Sequence, residues 1–447
     1  MTEIARTFLH TAWSALGGDA AAIGRVRFTG EGALPSRFAV TDFAAAAIAA
    51  AGLAASDLMG GNGSVAVDRR LASFWFNFSL RPLDWRPQGP WDPLAGDYAA
   101  QDGWIRLHTN APHHRAAALA VLGCDPGKEA VAQAVASWSK NGLESAVISA
   151  GGCAAELRSA GQWAAHPQGR AVAAEPLVRI ETVAAGRPPD WRPQPERPLL
   201  GIRVLDLTRV LAGPVGSRFL AGLGADVLRI DPPGWDEPGV IPEVTLGKRC
   251  ARLDLRETAH RAVFEELLRE TDILLHGYRP RALEQLGYDG AVRRRLAPGM
   301  VEVQHDAYGW SGPWMGRRGF DSLVQMSTGI AHAGPDRPSP LPVQALDHAT
   351  GYLIAAAALT GLARRLRSGA ASRSRLSLAR TALWLTEAGA ANPDEALRPE
   401  SEADLALSTE RTSWGEARRL LPPLKIEGTP LRWDLPARDL GSDPAVW

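Results

Sequence analysis

The chain has 447 residues, of which 45% are hydrophobic and 22% are charged, and these proportions exclude a wholly disordered protein. Its 49 basic and 49 acidic residues give a net charge of zero. We therefore expect no nucleic-acid partner, because such a partner requires a basic surface. The length predicts about one to three domains.

Cysteines and apolar runs indicate the compartment. Cys124, Cys153 and Cys250 are far apart and odd in number, so we expect neither a disulfide framework nor a cysteine-based zinc site. This favours a reducing, cytoplasmic location. The longest apolar run, 43–55, is shorter than a membrane-spanning helix requires, and the first residues lack a leader pattern. We expect no membrane partner.

A partial internal repeat spans both ends of the chain. Residues 38–42 end in an aspartate and precede an alanine-rich helical pattern. Residues 343–347 also end in an aspartate and also precede an alanine-rich helical pattern. Each pattern is followed by a short β-rich run and a tryptophan. Residues 176–181 also resemble residues 423–427. Two pairs of similar segments in the same order favour a duplication.

Prolines mark the clearest boundary. Five of them lie between residues 181 and 201, and they predict an extended linker. We therefore divide the chain into four parts. These are a small-domain-like N-terminal part that includes the partial repeat (1–185), a proline-rich linker (186–200), a large domain (201–392) and a C-terminal return segment (393–447).

The large domain opens with a strand–helix–strand pattern. Residues 202–208 and 225–231 are β-rich, and a helical segment lies between them. Two strands joined in this way run parallel, with a right-handed crossover. The pattern continues with helices over 257–270 and 280–287 and strands over 272–275 and 300–304. We predict an α/β fold with a doubly wound, mostly parallel, Rossmann-like sheet plus a smaller α+β domain, the two intertwined.

The first strand–helix turn, Leu211-Ala212-Gly213, is a candidate phosphate site because it opens a helix. Read alone, it is more typical of a tight structural turn. The domain has no G-x-G-x-x-G, which argues against a dinucleotide-dependent oxidoreductase.

Seven segments of the large domain carry a family resemblance. They are VLDLTRVLAGP (204–214), LGADVLRID (223–231), GKRCARLDL (247–255), YRPRALEQLGY (278–288), YGWSGPW (308–314), RRGFDSLVQMSTGI (317–330) and LPVQALDHATGYLIAAAALTGL (341–362). In this order they resemble the class III coenzyme A transferase family, which acts on formyl-, carnitine- and bile-acid-CoA thioesters. Residues 102–123 and 154–172 resemble the family's small domain, which in the family follows the sheet. The domain order is therefore rearranged.

The resemblance implies a nucleophile. Asp347 and Gly351 match the family's D-x-x-x-G pattern, in which the aspartate attacks an acyl-CoA thioester. An acyl-aspartyl anhydride and then an aspartyl-CoA thioester would follow, and backbone N–H groups at the helix N-terminus would stabilise the oxyanion. The substrates implied are an acyl-CoA and a carboxylic acid, with no metal and no tightly bound cofactor. From its position alone, Asp347 also fits a plain helix N-cap, and Asp42 of the first repeat is expected to be a vestigial cap.

Coenzyme A carries phosphates, so its site should contain cations and backbone amides. The candidates are Lys248, Arg249 and Arg318, with Leu211, Ala212 and Gly213 supplying amides. Tyr278 and Phe320 fall where the family places aromatic side chains. Each of these residues also has a structural interpretation, as a surface charge or as core packing.

Histidines near these motifs have open roles. His348 follows the proposed nucleophile and is either a proton-transfer or orienting group or a buried polar residue. His108, His113 and His114 cluster, but no acid or cysteine has matching spacing nearby, so we expect no metal site.

Two alternatives remain. Acyl-CoA racemases share this fold and use a Gly-His-Asp run, which here reads Gly319-Phe320-Asp321, without the histidine. An inactive coenzyme A-binding paralogue is the other. The resemblance also implies a homodimer, whose interlocking the altered domain order puts in question.

Overall fold

The computed structural model describes residues 2–184, 186–332, 337–389 and 395–447. The predicted domain boundaries at 185/186 and 392/393 fall on or beside residues outside these ranges. The described residues form four sheets, one of seven strands and three of three strands.

The first repeat forms a compact helix-and-strand unit near the N-terminus. A short 3-10 helix spans Ala20–Arg25. The other elements are α1 (Thr2–Ala15), β1 (Val26–Thr29), α2 (Val40–Leu58), β2 (Val65–Asp68), α3 (Arg69–Trp75) and β3 (Leu80–Pro82). Alanine dominates α2, and its small side chains and high helix propensity suit a helix enclosed by others.

A small α+β unit follows. Its antiparallel sheet is covered by helices. The side chain of Ser139 caps one of these helices, and Ser159 and Gln162 form a capping box at the start of another. The elements are β4 (Gly96–Ala100), β5 (Gly103–Leu107), α4 (Pro112–Leu122), α5 (Lys128–Val135), α6 (Lys140–Ser149), β6 (Ala154–Glu156), α7 (Ala160–Ala165) and α8 (Pro167–Ala173).

The large domain is built on the seven-stranded sheet. Its elements are β7 (Arg179–Ala184), β8 (Arg203–Leu207), α9 (Ala212–Gly222), β9 (Asp226–Asp231), α10 (Ile241–Val244), β10 (Lys248–Arg252), α11 (Thr258–Arg269), β11 (Ile273–His276), α12 (Ala282–Gln285), α13 (Gly290–Leu296), β12 (Val301–Asp306), α14 (Asp321–Thr328), α15 (Ala345–Ser368), β13 (Ala371–Ser377) and α16 (Leu378–Glu387).

The strand order is β10-β9-β8-β11-β12-β13-β7, and all pairs are parallel except the last. The predicted α/β class with a mostly parallel sheet is confirmed. Strand bounds differ from the prediction by one or two residues, and the predicted helix 280–287 is shorter in the structure, where α12 spans only Ala282–Gln285. The edge strand β7 comes from the N-terminal part, so the chain before the proline-rich segment contributes to the large sheet.

The C-terminal segment returns to the N-terminal part. Its elements are a 3-10 helix (Glu402–Asp404), β14 (Glu410–Thr412), β15 (Gly415–Arg419) and β16 (Leu424–Ile426). Strand β15 pairs with β3, and β16 pairs with β2.

The two repeats share a topology. In the first, β1 is parallel to β2, which is antiparallel to β16. In the second, β12 is parallel to β13, which is antiparallel to β7. In each repeat a long helix leads into the central strand, and these helices, α2 and α15, pack against each other. The similarity agrees with a duplication, in which each repeat takes its third strand from the other half of the chain.

Helix α2 contains the apolar run that the sequence marked as too short to cross a membrane. In the structure the helix is 19 residues long and apolar enough to do so, so the length argument is wrong. Burial decides its role instead, because 94% of it is buried within the fold, where it packs against α1 and α15. It is a core helix.

Candidate functional site

The strand order reverses between β8 and β11, because β9 and β10 lie on one side of β8 and β11, β12 and β13 lie on the other. In open α/β sheets, ligands bind beyond the carboxyl ends of strands at such a point. A cavity of about 410 Å³ lies there, and segments that follow β8, β11 and β12 line it. We call it the first cavity.

Asp347 lies on the wall of the first cavity and is only 6% exposed. It is the third residue of α15, and the residue in the N-cap position is Gln344. The N-cap interpretation of Asp347 is therefore wrong, because a cap residue precedes the helix. Its carboxylate faces the cavity instead.

Gly351, one helical turn after Asp347, explains the D-x-x-x-G spacing. A Cβ atom at this position would lie 2.5 Å from the carbonyl oxygen of Ala212 and 2.7 Å from Cβ of Val215. Both atoms belong to α9, so the absence of a side chain at 351 lets the two helices approach closely. Residues four apart share a helix face, so this contact also places Asp347 beside the first strand–helix turn.

Asp321 occupies the amides at the start of α15. One of its carboxylate oxygens accepts hydrogen bonds from the N–H groups of Leu346 (2.9 Å) and Asp347 (3.0 Å), and the other accepts one from Gln325 (2.5 Å). The expectation that these amides stabilise an oxyanion is therefore wrong, because Asp321 already uses them.

Free amides lie instead at the start of α9. The N-cap residue Leu211 makes no side-chain cap, and within the described residues the N–H groups of Ala212 and Gly213 find no acceptor. Ala212 lines the first cavity, whereas Leu211 faces a neighbouring cavity and Gly213 packs against Thr208. This helix N-terminus is suited to hold negative charge.

The two buried carboxyl groups influence each other. Burial raises the pKa of Asp347 well above its ordinary value, and the neighbouring charge of Asp321 raises it further. Burial likewise raises the pKa of Asp321 to about 6, although its hydrogen bonds to amides oppose the shift. The site therefore favours a proton on Asp347 when no ligand is bound.

Four cationic side chains line the first cavity. They are Arg209, Arg279, Arg317 and Arg318. The guanidinium of Arg209 lies 4.5 Å from the ring centroid of Trp235 and 5.5 Å from that of Tyr278, which fixes its orientation. Five of the predicted residues line this cavity, namely Ala212, Tyr278, Arg318, Phe320 and Asp347.

Arg209 is not among the residues predicted from the sequence, although its position after a strand indicated a role. Arg209 comes two residues after the end of β8, at the carboxyl edge of the sheet, where ligand-binding residues concentrate.

Lys248 and Arg249 lie elsewhere. Both begin β10, which places them at the amino edge of the sheet, opposite the cavity. Lys248 is fully buried and its ammonium lies 3.1 Å from Asp206, while Arg249 pairs with Asp226 at 2.8 Å. The structure therefore corrects their assignment to coenzyme A binding and makes them structural ion pairs.

Histidines of the small unit reach the same region. His113 and His114 line the first cavity, and the ring of His108 stacks on Phe320 with centroids 3.7 Å apart. Burial lowers the pKa of His108 to about 3 and that of His114 to about 4, so both are uncharged at neutral pH. Nowhere in the described ranges do three or more histidine, cysteine or acidic residues form a cluster suited to a metal ion.

His348 and Asp42 have distinct environments. His348 is buried, stacks on Phe76 and does not line the first cavity. Asp42 is the third residue of α2, the position that Asp347 holds in α15, but its carboxylate binds Nε of Arg69 at 2.8 Å. The vestigial-cap interpretation of Asp42 is wrong, because the N-cap residue of α2 is Ala39 and Asp42 lies inside the helix.

Comparison with known proteins supports the family resemblance. Residues 199–408 match the family described as CoA-transferase family III. A probable fatty acyl-CoA transferase of Mycobacterium tuberculosis is 32% identical over 194 residues, which are 40% of this chain and 49% of that protein. The succinyl-CoA:glutarate CoA-transferase of Mus musculus is 31% identical over 198 residues, 40% of this chain and 45% of that protein. The resemblance predicted from the seven segments is confirmed.

Solved structures match over a similar share. The crystal structure of the M. tuberculosis protein Rv3272 matches this chain with 31% sequence identity and a TM-score of 0.41. The match covers 43% of this chain and 57% of that protein's chain. The chain spans about half the length of the curated relatives it matches.

Proposed function

We propose that this protein transfers coenzyme A from an acyl-CoA thioester to a carboxylic acid, with Asp347 as the nucleophile. The observation that carries the proposal is the position of Asp347 on the wall of the first cavity, near the start of α9, where the amides of Ala212 and Gly213 have no acceptor among the described residues. The relatives that are named as CoA-transferases support the same chemistry.

Coenzyme A would bind beside the arginines of the first cavity. Guanidinium groups bind phosphate oxygens strongly, so Arg209, Arg279 and Arg318 would hold the phosphates while the pantetheine arm extends into the first cavity. The thioester carbonyl would then lie between Asp347 and the amides of Ala212 and Gly213, which would stabilise its developing oxyanion.

In the first half-reaction, an oxygen of ionised Asp347 attacks the thioester carbon, and the carbon–sulfur bond breaks. The products are an acyl-aspartyl anhydride and the coenzyme A thiolate. The thiolate then attacks the aspartyl carbonyl and releases the donor acid as a carboxylate, which leaves coenzyme A attached to Asp347 as a thioester.

In the second half-reaction, the acceptor carboxylate attacks the aspartyl thioester and expels the thiolate again. The thiolate attacks the acyl carbon of the new anhydride, so the new acyl-CoA leaves and the Asp347 carboxylate is restored. Each step exchanges one anionic oxygen or sulfur for another, so the cycle needs no net proton and no external energy source.

The buried environment suits this nucleophile. Burial and the charge of Asp321 disfavour ionised Asp347, and a more basic carboxylate is a stronger nucleophile toward a thioester.

Substitution of Asp347 tests the proposal. The Asp347→Ala protein should fold and bind coenzyme A, measured by calorimetry, but lose transfer between acyl-CoA and carboxylates by about three orders of magnitude or more. The matched control is Asp42→Asn, because Asp42 holds the equivalent position in the first repeat but lies in an ion pair. The control should retain its turnover. Retained transfer by Asp347→Ala would refute the proposal, and exchange of the α-hydrogen for solvent deuterium without transfer would indicate a racemase.

A further inference from the structure

The residue that follows Arg209 has a strained backbone. Val210 adopts a φ of +65°, in the left-handed region that β-branched residues rarely enter. Apart from glycines, only Arg281 shares a positive φ within the described ranges, and its side chain is largely exposed. Val210 instead lines the first cavity. Strain of this kind persists only where neighbouring groups enforce it, and it concentrates at functional sites.

A buried carboxylate holds this backbone in place. Glu237 lies in the loop between β9 and α10, and its side chain is only 8% exposed. Its Oε2 accepts a hydrogen bond of 2.9 Å from the backbone N–H of Val210. Turning over the planar peptide group between Arg209 and Val210 would return φ of Val210 to a negative value, but it would also point this N–H away from Glu237. Because hydrogen bonds to a carboxylate are stronger than those between neutral groups, Glu237 opposes that relaxation.

The same oxygen orients a tryptophan beside the cavity. Oε2 of Glu237 also accepts the indole N–H of Trp235 at 3.0 Å. The guanidinium of Arg209 lies over the face of this ring, 4.5 Å from its centroid, and the ring lines the first cavity. A ring whose N–H is fixed presents its face in one orientation, and its attraction for the guanidinium then fixes the guanidinium. Glu237 therefore holds Arg209 from both ends. It fixes the backbone through Val210 and the guanidinium through Trp235.

The charge of Glu237 is already balanced. Its other oxygen, Oε1, pairs with the guanidinium of Arg229, which is fully buried and also binds Asp231 at 2.8 Å. Arg209, by contrast, approaches Asp231 only to 4.0 Å, and its side chain is 27% exposed. A guanidinium has five N–H donors, so Arg209 keeps donors for an anionic group in the first cavity.

We propose that Glu237 is a positioning residue for the binding of coenzyme A phosphates, and that it acts through Arg209. It holds the backbone at Val210 and the ring of Trp235 so that the guanidinium is oriented before the ligand arrives. Orientation in advance favours binding, because fewer side-chain conformations are lost when the complex forms. The inference rests on the proposed function, which assigns coenzyme A to the first cavity.

Charge and positioning predict opposite effects when Glu237 is replaced. A negative charge near an anion site repels phosphate, so Coulomb's law alone predicts that Glu237→Gln binds coenzyme A more tightly. Loss of positioning predicts weaker binding instead. We expect the dissociation constant for coenzyme A, measured by calorimetry, to rise about fivefold, since an oriented cation–π pair is worth about that factor. The kcat at saturating acyl-CoA should change by less than about twofold, because Asp347 is untouched.

A double-mutant cycle tests the route through Arg209. In the Arg209→Ala protein, Glu237→Gln should leave the dissociation constant unchanged, because the side chain that Glu237 positions is gone. An effect that persists undiminished in this background would overturn the inference, and so would unchanged or tighter binding by Glu237→Gln alone. The matched control is Asp236→Asn, which removes the same charge from the exposed neighbouring residue. This control should not weaken binding, and weakening equal to that of Glu237→Gln would overturn the positioning role.

A second variant covers the case in which Glu237→Gln fails to fold, since Glu237 helps to neutralise the buried Arg229. Trp235→Phe keeps an aromatic face but cannot donate a hydrogen bond to Glu237. Its dissociation constant for coenzyme A should rise about twofold or more, and again only while Arg209 is present. Wild-type affinity in a Trp235→Phe protein that urea unfolding shows to be folded would overturn the inference.

Failure of this inference and failure of the proposed function give different results. If Arg209→Ala binds coenzyme A as tightly as the wild type, the role of Glu237 is overturned, while a covalent adduct on Asp347 would still support transfer. If transfer is absent but the double-mutant cycle gives the expected result, the positioning of Arg209 by Glu237 stands as a property of coenzyme A binding.

Discussion

Replacing Gly351 with alanine tests whether the contact between α15 and α9 positions the nucleophile. The new Cβ would lie 2.5 Å from the carbonyl oxygen of Ala212 and 2.7 Å from Cβ of Val215. Both distances are shorter than van der Waals contact, and neither atom is the end of a flexible side chain. One helix must therefore move, and Asp347 lies one turn away on the moving helix.

The magnitudes follow from packing. Overpacking a core site costs about 1–3 kcal/mol, and alanine returns about 1 kcal/mol through its higher helix propensity. The free energy of unfolding should therefore fall by about 2 kcal/mol at most. A misplacement of about 1 Å can reduce a catalytic rate by about 100-fold, so kcat should fall far more than stability does.

Gly361→Ala is the matched control on the same helix. Its Cβ would lie 2.5 Å from Cγ1 of Val301 and 2.8 Å from Oγ of Ser372, far from the first cavity. Urea unfolding should show a similar loss of stability in both variants, whereas kcat for coenzyme A transfer should fall only in Gly351→Ala. Equal rates in the two variants would refute the positioning role of this contact.

Three further predictions concern charge. Because burial and Asp321 raise the pKa of Asp347, kcat should rise as the pH increases through the range in which Asp347 loses its proton. Asp321→Asn removes one of these causes, so it should move the rise of the pH–rate profile to lower pH. Burial raises the pKa of Asp306 to about 7, so this group stabilises the fold at low pH and loses its contribution as the pH rises through that value. Asp306→Asn should therefore exceed the wild type in unfolding free energy at pH 8, by about 2–4 kcal/mol, and show no such gain at pH 4 in urea titrations. Arg209→Ala should raise KM for acyl-CoA about tenfold with little change in stability, whereas Lys248→Met should cost about 3–5 kcal/mol of stability and leave KM unchanged. The opposite pattern in steady-state kinetics and urea unfolding would contradict the placement of these two cations.

Local patterns made the sheet predictable, and they also placed Asp347 near the start of a helix. The β-rich runs around β8 and β9, with a helix between them, follow from residue type and spacing. The D-x-x-x-G spacing of Asp347 and Gly351 likewise lies within one helix, and the structure gives it a packing reason.

Contacts between distant segments could not be read in this way. Asp321 meets the amides of α15 although about 25 residues separate them, and His113 and His114 line the first cavity from the small unit. No local pattern signals either contact. Lys248 and Arg249 were misassigned for a different reason, because residues that begin a strand lie at the amino edge of a parallel sheet, opposite the ligand edge.

Covalent trapping on Asp347 tests the central claim most directly. The protein is incubated with an acyl-CoA and hydroxylamine, digested, and its peptides are analysed by mass spectrometry. The account predicts a hydroxamate on Asp347, absent without acyl-CoA and retained in Asp306→Asn, whose carboxyl lines the same cavity. A hydroxamate on another carboxylate, with Asp347 unmodified during active transfer, would contradict it.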